Sequence, residues 1–190
     1  FELVNAFATF DAGGRWAPWR LVEKIVGPRW QEIPLPAAEA PREALEPASA
    51  YIMTSLLESV VPDGTATAAR ALGRPSAGKT GTSNDARDAW FVGYTPELVA
   101  GVWLGFDDNR SLGRRESGGR AAVPIWVRVM ETALADQPVT AFPVPPGVVT
   151  ARIDPPSGLL VTDDREGAID EVFLEGTAPT EVALPPDTLD

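Results

Sequence analysis

The sequence predicts an α/β fold of the α+β type, a mainly antiparallel sheet flanked by helices. Three observations predict it. Residues 88–95 are rich in aromatic and β-branched side chains, and together with 76–82 and 98–106 they read as three consecutive antiparallel strands separated only by turn formers. Residues 48–61 place Ile52, Leu56 and Val60 at helical spacing, with Met53 and Leu57 beside them, the pattern of a helix that covers a sheet. Residues 121–135 read as a closing helix. These helices are too few to cover both faces of a three-stranded sheet.

Taken in order, residues 2–10 carry apolar Leu3, Phe7 and Phe10 on one helical side, and Asp11-Ala12-Gly13-Gly14 stops the helix. Residues 19–26 and 30–33 read as a hairpin about Gly27-Pro28, and residues 34–47 as a Pro/Ala/Glu loop without periodicity, the segment expected to be most mobile. The helix at 48–61 enters through Pro47 and leaves through Pro62-Asp63-Gly64. Residues 65–72 are alanine-rich and favour helix. Trp90, Phe91, Trp103 and Phe106 sit on half-buried strands and read as core. From Gln137 the chain alternates Pro-rich stretches with two strand-like runs, 148–153 and 159–162, joined by Asp154-Pro155-Pro156-Ser157-Gly158. Residues after Asp163 are acidic enough to be partly disordered. The expected division is a main unit at 1–136 and a Pro-rich, acidic extension at 137–190.

Composition removes several chemistries. The 190 residues hold neither histidine nor cysteine, so a Ser-His-Asp triad, a cysteine nucleophile and the usual zinc sites are excluded, while serine-lysine chemistry stays open. No metal and no cofactor is expected. A net charge of −11 argues against non-specific binding to nucleic acid or anionic lipid, and no apolar run reaches the roughly twenty residues of a membrane-spanning helix. Arg114, Arg115 and Arg120 lie in a Gly-rich loop and read as solvated or structural; Asp107 and Asp108 read as a turn.

The run Ser76-Ala77-Gly78-Lys79-Thr80-Gly81-Thr82-Ser83-Asn84 admits two incompatible readings. From Gly73, GRPSAGKT fits the phosphate-cradling pattern G-x-x-x-x-G-K-[ST]. That loop needs a buried strand before its first glycine and a helix after its lysine. Here an alanine-rich segment precedes, Pro75 interrupts, and turn formers followed by a strand come after. Read as a strand, Thr80 and Thr82 share one face while Lys79 and Gly81 share the other, and the small Gly81 leaves room for a peptide laid along an edge. Such a groove suits an extended peptide ending in a carboxylate. Ser76 and Lys79 also spell S-x-x-K, but that pair needs one turn of helix, which Gly78 and the strand deny it.

The KTGT tetrad and its sequel, KTGTSNDARDAWFVGYTPELVAGVWLGFDDNRSLGRRESGGRAAVPIW, resemble the corresponding run of bifunctional (class A) penicillin-binding proteins of the 1A type. NAFATFDAGGRWAPWRLVEKI upstream, and FPVPPGVVTARIDPPSGLL and FLEGTAPTE downstream, are similar to that family too, with its usual Asn-Gly-Gly replaced by Asp11-Ala12-Gly13-Gly14. The resemblance implies the transpeptidase fold shared with serine β-lactamases, here without its N-terminal part. It also implies a DD-transpeptidase that cross-links peptidoglycan stem peptides ending in D-Ala-D-Ala through an acyl-enzyme serine, and that β-lactams acylate. It implies a preceding glycosyltransferase domain and a periplasmic location with an anchor upstream. By the same resemblance Lys79 is catalytic, supporting the serine of an S-x-N element and the local positive potential. Thr80, Gly81 and Thr82 bind substrate, the two hydroxyls receiving the terminal carboxylate and the Thr82 amide serving as one oxyanion donor. The nucleophile with its S-x-x-K lysine and the S-x-N triplet do not occur in the chain, which makes the N-terminal half of the same protein an expected partner. A catalytically silent penicillin-binding or sensor module and a P-loop NTPase are the alternatives.

Overall fold

The computed structural model describes residues 1–62 and 64–184. Asp63, at the expected helix exit, and residues 185–190 of the acidic tail lie outside the described residues. The centre of the main unit is an antiparallel three-stranded sheet: β5 (Ala77–Thr82), β6 (Asp88–Thr95) and β7 (Leu98–Gly105) in the order β5-β6-β7. These are the three strands that the sequence predicts. Short connections fix the register, with Lys79 opposite Val92 and Val92 opposite Gly101.

One face of the sheet is covered by α3 (Val123–Ala133), which a five-residue π-helical turn, Gly118–Ala122, precedes. Val123, Trp126, Val127 and Met130 follow the i, i+3, i+4, i+7 rule and are buried. Trp126 is fully enclosed: its ring meets Phe91 edge-on at 5.1 Å, and its Nε1–H is shared between the carbonyls of Gly93 (3.2 Å) and Ala100 (3.1 Å) on neighbouring strands. The expected helix at 121–135 is thus shorter than its pattern. Pro124 at its first turn is compatible with a helix start.

The other face is covered at one end by α1 (Glu2–Asp11) and α2 (Pro47–Glu58). Gly13 and Gly14, both at positive φ, end α1, and Gly14 has no space for a side chain because a Cβ would lie 2.2 Å from the Leu45 carbonyl oxygen. The buried stripe of α2 is Ala50, Thr54 and Leu57, not the predicted Ile52, Leu56 and Val60; Leu56 and Met53 are exposed. The helix is rotated because small residues let it approach closely, and because the Thr54 hydroxyl is satisfied there by the Ala50 carbonyl and by the Tyr94 hydroxyl at 3.0 Å.

Of the four aromatic residues read as core, only Phe91 is buried. Trp90, Trp103 and Phe106 are exposed to 36%, 48% and 40%. Trp90 and Trp103 are cross-strand partners on the face that α1 and α2 share, but at the end those helices do not reach among the described residues. The Trp103 indole N–H donates to Asp88 (2.9 Å), and the Arg110 guanidinium lies 3.9 Å from the Phe106 ring centroid.

Short strands complete the unit. β2 (Ile25–Val26) and β3 (Glu32–Ile33) form the expected hairpin, with far shorter arms than the pattern suggested. β1 (Arg15–Trp16) pairs with β4 (Arg42–Glu43), so the segment expected to be a plain loop contributes a strand. Arg42 covers the Trp16 ring at 4.8 Å, and the Gly14 carbonyl accepts from the amides of Ala44 and Leu45. Residues Thr67–Leu72 form a 3₁₀ helix ended by Gly73.

The extension is a small antiparallel sheet in the order β10-β8-β9, from β8 (Val148–Asp154), β9 (Leu159–Leu160) and β10 (Ile169–Leu174). β10 corrects the expectation of disorder after Asp163: its acidic residues hide a full six-residue register with β8. Arg165 fastens the chain beyond β10, donating to the carbonyls of Leu184 (2.8 Å) and Ala183 (3.3 Å). Arg74 ties the segment leading into the extension to the main unit through the carbonyls of Leu134 and Gln137 and an ion pair with Glu97 at 3.6 Å, whose other oxygen accepts from Thr140.

If Trp126 pins α3 to the sheet, Trp126→Ala should remove about 3–5 kcal/mol of stability, the usual range for deleting an enclosed aromatic side chain. Urea unfolding of the full-length protein, followed by tryptophan fluorescence, checks it; an unchanged midpoint would contradict the anchoring role.

Candidate active site

β5 is an edge strand, and its free side is defined by its hydrogen bonds. The Ser83 amide donates to the Asp88 carbonyl (3.1 Å), making that couple a bonded pair. Antiparallel alternation then puts the pairs Gly81 with Trp90 and Lys79 with Val92 in the same class, and turns the N–H and C=O groups of Thr80 and Thr82 away from β6. An extended ligand at this edge therefore meets main-chain donors and acceptors of both threonines.

The side chains converge on the same edge. Lys79 springs from the opposite face to the threonines, yet its ammonium curls round to donate to the Thr80 carbonyl at 3.0 Å. It is exposed, and among the described residues it forms no ion pair. The Thr80 hydroxyl is bonded to that of Thr65 at 2.5 Å. The Thr82 hydroxyl accepts from the Gly118 amide at 3.0 Å, which orients it and leaves its proton free to donate outward. Two fixed hydroxyls and one cation at an open strand edge form a receptor for a carboxylate.

Gly81 lies between the threonines, and a Cβ there would come 3.2 Å from the Trp90 Cβ. A Cβ at Gly118, on the π-helical turn, would lie 2.2 Å from the Trp90 carbonyl oxygen and 2.6 Å from that of Gly81. Only glycine fits there, so the turn rests directly on the strands and brings its amide to Thr82. Thr65 and Gly118 are the site partners the sequence reading missed. Thr65 looked like the start of a helix-favouring segment, and the Gly118-Gly119 pair was the one available signal for the close approach.

The rejected readings of the motif are also settled by geometry. Ser76 is buried, three residues from Lys79 along a strand and so on the opposite face, and its hydroxyl donates to the Arg74 carbonyl (3.0 Å). Lys79 sits inside β5, so no helix N-terminus follows it to hold a phosphate. Arg114 and Arg115 are exposed in the loop before the π turn and Arg120 is exposed within it, and none of the three makes an ion pair among the described residues.

Comparison with known proteins matches these features. The profile of the penicillin binding protein transpeptidase domain matches residues 1–131, and that of the penicillin-binding protein 1A C-terminal domain matches residues 144–183. Penicillin-binding protein 1A of Pseudomonas aeruginosa is 49% identical over 140 residues, covering 73% of this chain and 17% of that protein. The crystal structure of penicillin-binding protein 1A from Haemophilus influenzae superposes with a TM-score of 0.83 at 29% identity, over 96% of this chain and 33% of that one. Penicillin-binding protein A from M. tuberculosis, solved as a ceftriaxone acyl-enzyme complex, superposes with a TM-score of 0.52 at 25% identity over 69% of this chain and 31% of that one. The chain spans about a fifth of the length of the curated relatives it matches.

The Gly118 contact gives a direct test of how the turn supports the strand. Gly118→Ala must push the turn off two backbone carbonyls and break the bond to Thr82, at a cost of about 1–3 kcal/mol, as in other overpacked sites. Thermal unfolding of the full-length variant measures it; wild-type stability would mean that the turn does not rest on β5.

Proposed function

The chain belongs to the penicillin-binding-protein transpeptidase family, and from that premise we propose that it builds the substrate-binding wall of a serine DD-transpeptidase acting on peptidoglycan stem peptides that end in D-Ala-D-Ala. The observation that carries this reading is the open edge of β5, where the backbone of Thr80 and Thr82, their two hydroxyls and the Lys79 ammonium converge. The stem peptide lies antiparallel along that edge. Its terminal carboxylate takes hydrogen bonds from the Thr80 and Thr82 hydroxyls, and Gly81 leaves the approach unobstructed.

The reaction is acyl transfer. The serine Oγ, supplied from the upstream half of the same protein, attacks the carbonyl carbon of the penultimate D-Ala; the C–N bond breaks, and the terminal D-Ala leaves as an amine carrying the serine proton. The Thr82 amide, free on the outer side of β5, donates to the oxyanion that forms in between. An acceptor amine then attacks the ester and regenerates the serine. Lys79 holds the positive potential that favours both the substrate carboxylate and the oxyanion, and supports the serine of the S-x-N element. A β-lactam enters by the same route and remains attached, because its opened ring keeps the leaving amine tethered.

The exposed Trp90, Trp103 and Phe106 support an upstream half seated on that end of the sheet. We place the enzyme on the periplasmic side of the inner membrane, anchored by an upstream segment, with a glycosyltransferase domain preceding it. Residues 1–136 belong to the transpeptidase and 137–190 to an extension, and the 190 residues by themselves are inactive.

Two variants of the full-length protein test the site. Lys79→Ala should slow acylation by a fluorescent penicillin by about 30- to 1,000-fold, or about 2–4 kcal/mol of transition-state stabilisation, with the melting temperature unchanged. An unaltered acylation rate would remove Lys79 from the mechanism. Thr82→Val keeps shape and backbone amide but loses the hydroxyl, so ligands bearing the carboxylate should lose at least tenfold in acylation rate while their carboxamide analogues change little. Equal losses for both ligand sets would show that the hydroxyl does not read the carboxylate.

A further inference from the structure

A second site lies away from the KTGT edge. α1, α2 and the segment 142–145 that leads into the extension line a half-open cavity of about 240 Å³, walled mainly by Phe10, Pro47, Tyr51, Phe142 and Val144. Asp11 is the acidic group in this apolar wall, and its Oδ1 is buried with no hydrogen-bond partner among the described residues. We propose that the cavity binds a small monocationic amine with a ring-sized apolar body, its ammonium held by the Asp11 carboxylate.

The charge pattern selects a cation. Asp11 is the last residue of α1, where the helix already presents the negative end of its dipole, and no basic residue stands in that last turn. The ionisable groups coupled to Asp11 are Glu97 and Tyr94 on the sheet side, and Tyr51 on α2 shares its pocket wall; all three are acids. Arg74, the cation that pairs with Glu97, is committed to that carboxylate and to the carbonyls of Leu134 and Gln137. Burial first, and then Glu97, push the Asp11 carboxyl up to about 6, so at neutral pH an ionised carboxylate sits here with no neutralising partner among the described residues.

The walls and the volume narrow the ligand further. Phe10, Tyr51 and Phe142 offer aromatic surface suited to an ammonium and to the carbon body behind it. The Thr54 hydroxyl, also in the wall, is spent on Ala50 and Tyr94, so the carboxylate is the anchoring group. A cavity of about 240 Å³ is below the range of drug-sized pockets, roughly 300–1,000 Å³, and suits a single ring rather than a peptide or a polyamine.

Calorimetric titration of benzylammonium chloride into the full-length protein, at a pH well above the titration of Asp11, tests the proposal by binding rather than by activity. One saturable site per chain is expected, weakened at least tenfold by Asp11→Asn. Benzyl alcohol, the neutral analogue, should bind more weakly than benzylammonium to the wild type and equally to both proteins. Val144→Phe, which narrows the mouth from an exposed position, should also weaken the amine at least tenfold and serves where the Asp11 variant does not fold. Absence of saturable binding to the full-length protein, or undiminished binding in whichever of the two variants folds, overturns the assignment.

Discussion

The indole N–H of Trp126, shared between carbonyls on two adjacent strands, is the interaction on which the rest of the arrangement depends. It fixes the axial position of α3 over the sheet, since a buried donor with two acceptors at hydrogen-bonding distance cannot slide without losing both. The π-helical turn at the start of α3 is placed by the same constraint. From there Gly118 settles on the backbone of Gly81 and Trp90, and its amide reaches the Thr82 hydroxyl. A buried tryptophan thus sets the direction of a hydroxyl on the open edge, through one helix and one glycine.

An unpaired sheet edge is usually a hazard, because any extended chain can add to it. β5 retains that capacity but restricts it chemically. Lys79 and the two threonines favour a strand that ends in a negative charge, and the chain as a whole, at a net charge of −11, repels indiscriminate acidic partners. Selectivity arises from a local cation on a globally anionic surface, where long-range repulsion is screened by salt while short hydrogen bonds at the edge are not.

Much of this was legible in the sequence. The strand at 88–95 follows from its β-branched and aromatic run, the turn at Pro96 from its residues, and the strand placement of KTGT from the turn formers and strand that follow it. The stripe of α2 was misread because hydrophobicity ranks Leu56 above Thr54, whereas the packed helix prefers small residues and a satisfied hydroxyl. β10 was hidden because it carries Asp170, which is exposed, and Glu171, which is half-buried, and composition alone reads such acidic residues as disorder. The roles of Thr65 and Gly118 lie in contacts between residues distant along the chain, 15 and 36 positions away, and no local pattern encodes those distances.

Trp90, Trp103 and Phe106 failed as core predictions for a reason that bears on function. Their strands are correct and their alternation is correct; only the cover over one end of the face is missing among the described residues. The same division runs through the chemistry. The groups gathered at the β5 edge are suited to bind negative charge, and among the described residues none is a nucleophile paired with a general base: Ser76 is buried and points elsewhere, and the threonine hydroxyls are bonded to Thr65 and to the Gly118 amide. A wall that binds anions without a bond-making group is what one side of an acyl-transfer site contains when the nucleophile approaches from the other side. On the proposed transpeptidase reading, the uncovered aromatic end and the lack of a base-paired nucleophile among the described residues share one explanation, a second structural half that closes over Trp90 and Trp103 and brings its serine to the β5 edge.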